Sequence, residues 1–211
     1  MITLALDAST YEGTVAVLDG SRIVAEGLAA MRGRDAERLM PAVEATLKGA
    51  GISLSSVDRI VCGSGPGSFT SLRIAGSLAK GMALGAGKPL FAVSSLSLIV
   101  AGNVSEPGRY LAILDAMRGE FFAAAFVFDG ATVAAVGDAV LLPVGEVDAL
   151  GVRLGARAVG PSREGNWAPH ARGARRLQQV LAASRPVNLA EWEPTYGRLA
   201  EAQVKLEAAR R

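Results

Sequence analysis

The sequence has one cysteine and one histidine among 211 residues, and each scarcity excludes a class of chemistry. Cys62 cannot form a disulfide within the chain, and its apolar surroundings favour a small core residue over a reactive thiol. His170 alone cannot supply a His-x-x-x-His metal pair. A Ser-His-Asp triad would have to use His170, yet no serine stands in a Gly-x-Ser-x-Gly elbow. Metallopeptidases and serine hydrolases are therefore disfavoured.

The sequence also lacks an excess of charge of one sign, and it has few aromatic side chains. The 22 basic and 20 acidic residues nearly cancel, and no dense basic stripe indicates strong direct binding of nucleic acid. Aromatic residues make up only 5%, so the core must be filled mainly by alanine, valine, leucine, isoleucine and glycine. Half of the residues are hydrophobic, which is enough for a sizeable core.

Hydrophobic runs of membrane-spanning length are lacking as well. The segment Pro89–Ser105 is uncharged, but serines and Asn103 interrupt it, and we expect it to lie in the core. The amino terminus has no basic region and reaches Asp7 early, which is unlike a signal peptide. The sequence therefore predicts a cytoplasmic protein with no membrane contact.

Residues 1–105 predict strands and helices in alternation. Strands at 2–8, 14–18 and 22–27 form a meander with a hairpin turn at Asp19-Gly20. An amphipathic helix follows, with Asp35 as its cap and Pro41 tolerated only in its first turn, so its regular part begins near Leu39. The remaining predicted elements are a strand at 59–63, a helix at about 70–84, a strand at 90–93 and a helix from about residue 95.

Residues 106–211 repeat the beginning of this pattern. Strands are predicted at 111–116, 121–128 and 132–136, Leu6-Asp7-Ala8 recurs as Leu114-Asp115-Ala116, and Asp19-Gly20 recurs as Asp129-Gly130. This duplication predicts an α/β protein of the actin-like ATPase (ribonuclease-H-like) fold, with β-β-β-α-β-α units. Its subdomains would be residues 1–105 and a shortened 106–211, meeting at a cleft. A last helix is expected from Tyr196 to Arg211.

A glycine-rich loop at residues 63–73 is the most informative motif. An apolar strand stops at three glycines and a proline, and a helix starts at once, so backbone N–H groups converge on one spot. A phosphate-binding P-loop would carry a lysine after its last glycine, where Ser68 and Phe69 stand here. The loop is either a weak anion or nucleotide site, or a place where glycines let a strand and a helix approach closely.

Polar residues near this loop leave the same two interpretations open. The candidate anion or nucleotide site comprises Asp7, Ser9, Gly65, Gly67, Ser68 and Asp115. Asp7 and Asp115 stand on duplicated turns, and paired carboxylates across a cleft are suited to a cation. Alternatively, short polar residues in turns bond to nearby backbone N–H groups. No catalytic residue and no metal site is assigned.

Two helices carry apolar positions at helical spacing that suit contact with a partner. The predicted partner-binding faces consist of Leu39, Met40, Val43, Leu47, Ala75, Leu78, Ala79, Met82 and Ala83. Alanines four residues apart flatten a helix face, and Gly81 and Gly85 share that spacing. The pattern alone fits equally a docking surface for another helix and a face buried in the core.

The glycine motif resembles the Gly-Pro-Gly-Ser-Phe-Thr-Gly-Leu-Arg-Ile signature of the TsaB family, also called YeaZ. The matching segment here is Gly65-Pro66-Gly67-Ser68-Phe69-Thr70-Ser71-Leu72-Arg73-Ile74. Supporting matches in the same order are Leu6-Asp7-Ala8-Ser9-Thr10, Arg38-Leu39-Met40-Pro41, Val93-Ser94-Ser95-Leu96, Asp115-Ala116-Met117-Arg118-Gly119-Glu120 and Glu193-Pro194-Thr195-Tyr196. Ser71 and Ala75 replace usual glycines, and Asp35 stands where many relatives have histidine.

The resemblance implies a subunit that acts in making N6-threonylcarbamoyladenosine at position 37 of tRNA. Proteins of this family have the actin-like fold without a catalytic site or cofactor of their own. They pair with the catalytic subunit TsaD, through helices that match the first two here, and with the ATPase TsaE. The resemblance thus implies a scaffold that forms a homodimer when alone and meets tRNA only through the complex. The alternative, from Asp7, the glycine loop and Asp115, is a small-molecule kinase or ATPase of the same fold.

Overall fold

The first half of the chain forms a five-stranded mixed sheet. The computed structural model describes residues 1–31, 38–161, 163 and 165–197. The strands are β1 (Ile2–Asp7), β2 (Glu12–Asp19), β3 (Arg22–Ala30), β4 (Arg59–Gly63) and β5 (Leu90–Val93), in the order β3-β2-β1-β4-β5. The first three are antiparallel, whereas β4 and β5 run parallel to β1. Residues 3–7 of β1 are all buried because both faces of this sheet are covered.

The second half repeats this arrangement with four strands. They are β6 (Gly108–Asp115), β7 (Glu120–Phe128), β8 (Val133–Pro143) and β9 (Arg157–Val159), in the order β8-β7-β6-β9. β6 is antiparallel to β7 and parallel to β9, as β1 is to β2 and β4. The duplicated order confirms the predicted α/β actin-like fold. Within the described residues, this second sheet has no strand equivalent to β5.

The described part of the chain contains five α-helices, which form layers with the two sheets. They are α1 (Leu39–Ala50), α2 (Phe69–Ala86), α3 (Ser95–Asn103), α4 (Val147–Leu154) and α5 (Gln178–Ala183). α1 and α2 cover the outer face of the first sheet, α4 covers that of the second, and α3 lies between the sheets. Eight of the nine residues of α3 are buried, because both sheets and the turn at 171–176 pack around it. The helices of the described residues lack the combination of length and apolarity needed to cross a bilayer.

The sequence pattern located the first-half elements well. The bounds of β4 and β5 agree with the prediction, and α1 begins at Leu39 with Pro41 in its first turn. Gly51 ends α1 with φ of +66°, a left-handed conformation that glycine adopts without strain. Asp35, Ala36 and most of the predicted last helix lie outside the described residues.

The second half differs from the prediction in four elements. The strand predicted at 132–136 extends to Pro143, and α4, β9 and α5 were not predicted. Residues 134–141 of β8 are all exposed to solvent, so no burial pattern at period two marks this strand. β9 has only three residues, which is too short for periodicity to reveal.

The last described segment, residues 184–197, returns to the first half of the molecule. We call it the strap. The Val187 N–H donates to the Leu90 carbonyl on the outer edge of β5, at 2.8 Å. Val187, Leu189 and Trp192 then pack against the core beneath α2. The strap therefore ties the end of the second half to the first sheet.

The central position of α3 gives a test of the layered core. Val100 on α3 is fully buried, whereas Val152 on α4 is 84% exposed. Val100→Ala should lower the free energy of unfolding by about 2 kcal/mol, because it removes two buried carbons and leaves a cavity. The matched variant Val152→Ala should stay within about 0.5 kcal/mol of wild type. Urea unfolding measures both, and equal losses would contradict the layering.

Candidate functional site

The glycine loop joins β4 to α2 and is held by backbone hydrogen bonds to its neighbours. The Ser64 N–H donates to the Val93 carbonyl at 2.8 Å, and the Ser68 N–H donates to the Ser9 carbonyl at 2.7 Å. The first bond fixes the loop to β5 and the second fixes it to the hairpin after β1. The loop is thus enclosed at both ends by the first half of the molecule.

Two glycines of this loop are required by close packing. A Cβ atom on Gly65, whose φ is +92°, would collide with the Thr195 carbonyl oxygen, and one on Gly67 would collide with the Ser9 carbonyl oxygen. The atoms that need this space belong to the chain itself. The geometry therefore supports the interpretation in which the glycines allow elements to approach closely.

Asp7 lies at the centre of a buried hydrogen-bond network. Its Oδ1 accepts from the Ser9 N–H at 2.9 Å and from the Ser9 hydroxyl at 2.7 Å. Its Oδ2 accepts from the Ser95 hydroxyl at 2.6 Å, and the Ser95 oxygen in turn accepts from the Gly65 N–H at 3.0 Å. One carboxylate thus links the end of β1, the start of α3 and the glycine loop.

Burial dominates the electrostatics around Asp7. Desolvation raises the pKa of Asp7, and the hydrogen bonds from Ser95 and Ser9 oppose that rise by stabilising the charged form. Burial, together with the Asp7 charge, raises the pKa of the neighbouring Cys62 thiol, which therefore stays protonated. A Cβ on Gly63 would collide with Asp7 Oδ2, so glycine is needed there as well.

Asp115, the repeat counterpart of Asp7, has a different environment. It is the exposed last residue of β6, and one of its carboxylate oxygens accepts from the Met117 N–H in the following turn at 2.7 Å. No hydrogen bond in the described part of the chain joins it to Asp7 or its partners. The described residues as a whole also contain no group of three or more His, Cys, Asp or Glu side chains that could hold a metal ion. The structure therefore brings together Asp7, Ser9, Gly65, Gly67 and Ser68, and leaves Asp115 apart.

The predicted partner-binding side chains face mostly inwards. Seven of the nine are buried against the first sheet: Leu39, Val43, Leu47, Ala75, Ala79, Met82 and Ala83. Met40 and Leu78 are half-buried beside the same core. The prediction that these seven side chains belong to a docking face is therefore corrected. They are buried in the core, because the apolar stripe of each helix covers the sheet.

The outer faces of α1 and α2 remain accessible to a partner. The exposed positions include Ser77, Gly81, Leu84 and Gly85 on α2, and Pro41, Ala45 and Gly49 on α1. Leu84 has 76% of its surface exposed, the largest fraction for a leucine in the described residues. The sequence contained the signal, since Leu84 shares a helix face with Gly81 and Ser77 at helical spacing.

An aromatic cluster at the start of α2 was not predicted. The rings of Phe69 and Tyr196 lie 4.3 Å apart, and the Arg73 guanidinium stacks over Phe69 at 4.0 Å. Arg73 Nε also donates to the Tyr196 hydroxyl at 3.3 Å. Because Tyr196 is 127 positions from Phe69 in sequence, only the path of the strap brings them together.

Comparison with known proteins finds relatives whose names refer to threonylcarbamoyladenosine in tRNA. A family model described as "TsaD: tRNA N6-adenosine threonylcarbamoyltransferase" matches residues 32–162. The tRNA threonylcarbamoyladenosine biosynthesis protein TsaB of Bacillus subtilis is 34% identical over 122 residues, or 58% of this chain and 53% of the relative. TsaB of Escherichia coli is 35% identical over 131 residues, or 61% and 56% of the two chains.

A solved structure extends the similarity over nearly the whole chain. YeaZ from Pseudomonas aeruginosa superposes with a TM-score of 0.76 at 28% identity, covering 92% of this chain and 99% of that one. The chain spans about half the length of the curated relatives that it matches. The similarity in structure therefore reaches further than the similarity in sequence.

The raised pKa of Asp7 predicts a specific dependence of stability on pH. A carboxyl with a folded pKa above its unfolded value near 4 contributes most when protonated, so its contribution falls as the pH rises through the folded pKa. Asp7→Asn removes this titration and keeps an acceptor for Ser9. We expect its unfolding free energy to improve relative to wild type as the pH rises from about 4 to 7.

Urea unfolding at several pH values measures this difference. Asp115→Asn is the matched control for the loss of one negative charge at an exposed position. A difference between Asp7→Asn and wild type that stays constant across the pH range would contradict the assignment of a raised pKa to Asp7.

Proposed function

The chain belongs to the TsaB/YeaZ family, and from this premise we propose that it is a non-catalytic scaffold subunit in the biosynthesis of N6-threonylcarbamoyladenosine at position 37 of tRNA. It docks the catalytic subunit TsaD and works with the ATPase TsaE. It contacts tRNA only within that complex and forms a homodimer when alone. The proposal places the protein in the cytoplasm, with no cofactor or metal ion of its own.

The main support for this proposal is that both carboxylate oxygens of Asp7 are hydrogen-bonded to groups of the same chain. A carboxylate that holds a catalytic Mg²⁺ needs oxygen lone pairs directed at the ion. Here three donors from Ser9 and Ser95 occupy both oxygens of Asp7, in a site closed to solvent. The glycine loop likewise packs against Ser9 and Thr195 of the same chain. These contacts support a structural role for the motif that resembles a phosphate-binding loop.

The proposed docking surface is the outer face of α1 and α2. Small residues at Gly81, Gly85, Ala45 and Gly49 let a partner helix approach the backbone closely, and Leu84 offers an apolar contact. Cβ atoms at Gly81, Gly85 and Gly49 would have nothing within 4 Å, so this surface is open. Helix-on-helix docking of this kind suits TsaD or a second copy of the chain.

A kinase or ATPase of the same fold is the competing function, favoured by the proximity of Asp7 to the glycine loop. Calorimetric titration with ATP and Mg²⁺ separates the two. The scaffold proposal expects no turnover by this chain alone. Micromolar binding with turnover that is lost in Asp7→Ala would favour the kinase and contradict the scaffold.

Charged substitutions on the outer face of α2 test the docking surface. Leu84→Glu and Gly81→Glu should weaken binding to the cognate TsaD by about 30-fold or more, because each buries a charge in the contact. Val152→Glu is the control, since Val152 is equally exposed but lies on α4. Affinity is measured by titration calorimetry, and unchanged affinity in both α2 variants would show that TsaD binds elsewhere.

A further inference from the structure

The end of the strap crosses between the glycine loop and the second sheet. The Thr195 N–H donates to the Ser64 carbonyl at 2.7 Å. Two residues later Gly197 lies so close to β7 that a Cβ atom there would come within 2.5 Å of the Phe122 ring and 3.0 Å of Pro66. Residues 195–197 therefore touch the loop of the first half and a strand of the second half at once.

The strap is also anchored along α2 before it reaches this crossing. Pro194 is buried against Gly76, where a Cβ would come within 3.0 Å of the proline ring. The Lys80 ammonium lies 5.8 Å from the centroid of the Trp192 ring. Gly76 provides the space for Pro194, and Lys80 stacks on Trp192, so the strap follows α2 in a defined register.

Tyr196 fixes the crossing itself to the start of α2. Its ring packs on Phe69, and its hydroxyl accepts from Arg73. Gly197 has φ of +72°, a conformation that side chains other than glycine rarely adopt. The backbone conformation, the space at Gly197 and the ring of Tyr196 thus all specify one position for these three residues.

In an open α/β fold, ligands enter beyond the carboxyl ends of the strands, where the glycine loop lies here. We propose that Thr195–Gly197 is an intramolecular clasp that fills this entrance and holds the glycine loop and β7 in a fixed relation. The glycine loop and β7 are then held together at this edge by the strap of the same chain, and they separate there only when the clasp leaves.

The clasp also connects this entrance to the surface of α2. Phe69 and Arg73, which hold Tyr196, lie on the helix whose outer face is proposed to dock a partner. Binding of the clasp and docking of a partner on α2 should therefore be coupled, and this coupling depends on the proposed function. The clasp itself is independent of the proposed function, because every contact that defines it lies within one chain.

Hydrogen exchange on the isolated full-length chain tests the clasp without any partner. Tyr196→Ala and Gly197→Ala should speed amide exchange in residues 64–72 and 190–197 by about tenfold or more, because the opened state becomes more populated. Exchange in α1 and β1 should remain as in wild type. Gly155→Ala is the matched control: it has φ of +57° but open space around its Cβ position.

Emission from Trp192 gives a second readout in a Trp167→Phe background. Release of the strap should shift the emission maximum of Trp192 to longer wavelength, since this side chain of the strap is partly buried against the core beside α2. If Gly197→Ala does not fold, Tyr196→Phe is the variant to use, because it keeps the ring and loses only the hydroxyl. It should increase amide exchange less than Tyr196→Ala does. Unchanged exchange at residues 64–72, or an equal increase throughout both sheets, would overturn the clasp.

Discussion

A buried carboxylate holds together the part of this molecule where its fold family would bind a ligand. Asp7 is removed from water at a cost in free energy that raises its pKa, and three hydrogen bonds from Ser9 and Ser95 offset that cost. Through Ser95 the network reaches the Gly65 N–H of the glycine loop. The end of β1, the start of α3 and the loop before α2 therefore share one electrostatic centre.

The surrounding structure depends on this centre through close backbone contact. Gly63, Gly65 and Gly67 leave room for Asp7, the Thr195 carbonyl and the Ser9 carbonyl in turn. A motif that resembles a phosphate-binding loop is thus filled by carboxylate, backbone and strap atoms of the same chain. α1 and α2, of which α2 follows the loop directly, cover the first sheet with their apolar stripes and leave small residues and Leu84 on the outside.

The sequence predicted the features that depend on local chemistry. Hairpin turns and the apolar strands are set by neighbouring residues, and the repeat of Leu6-Asp7-Ala8 at 114–116 revealed the duplication. The direction of the helix faces was not predictable in this way. Ala75 and Ala79 have the same spacing whether they face a sheet or a partner, and only the tertiary arrangement decides between these outcomes.

Features that depend on long-range contacts escaped the sequence for the same reason. Ser95 is 88 positions from Asp7, and Tyr196 is 127 from Phe69, so no local pattern joins them. Exposed β8 and three-residue β9 carry too little burial pattern to be recognised. The equivalence of Asp7 and Asp115 in sequence also did not extend to their environments, since one is buried and the other exposed.

A double-mutant cycle between Asp7 and Ser95 tests the central claim most directly. Unfolding free energies of wild type, Asp7→Ala, Ser95→Ala and the double variant give the coupling between the carboxylate and the hydroxyl. The account predicts a coupling of about 1–3 kcal/mol, as expected for a buried hydrogen bond to a charged group. Additive effects of the two substitutions would contradict a fold organised around Asp7.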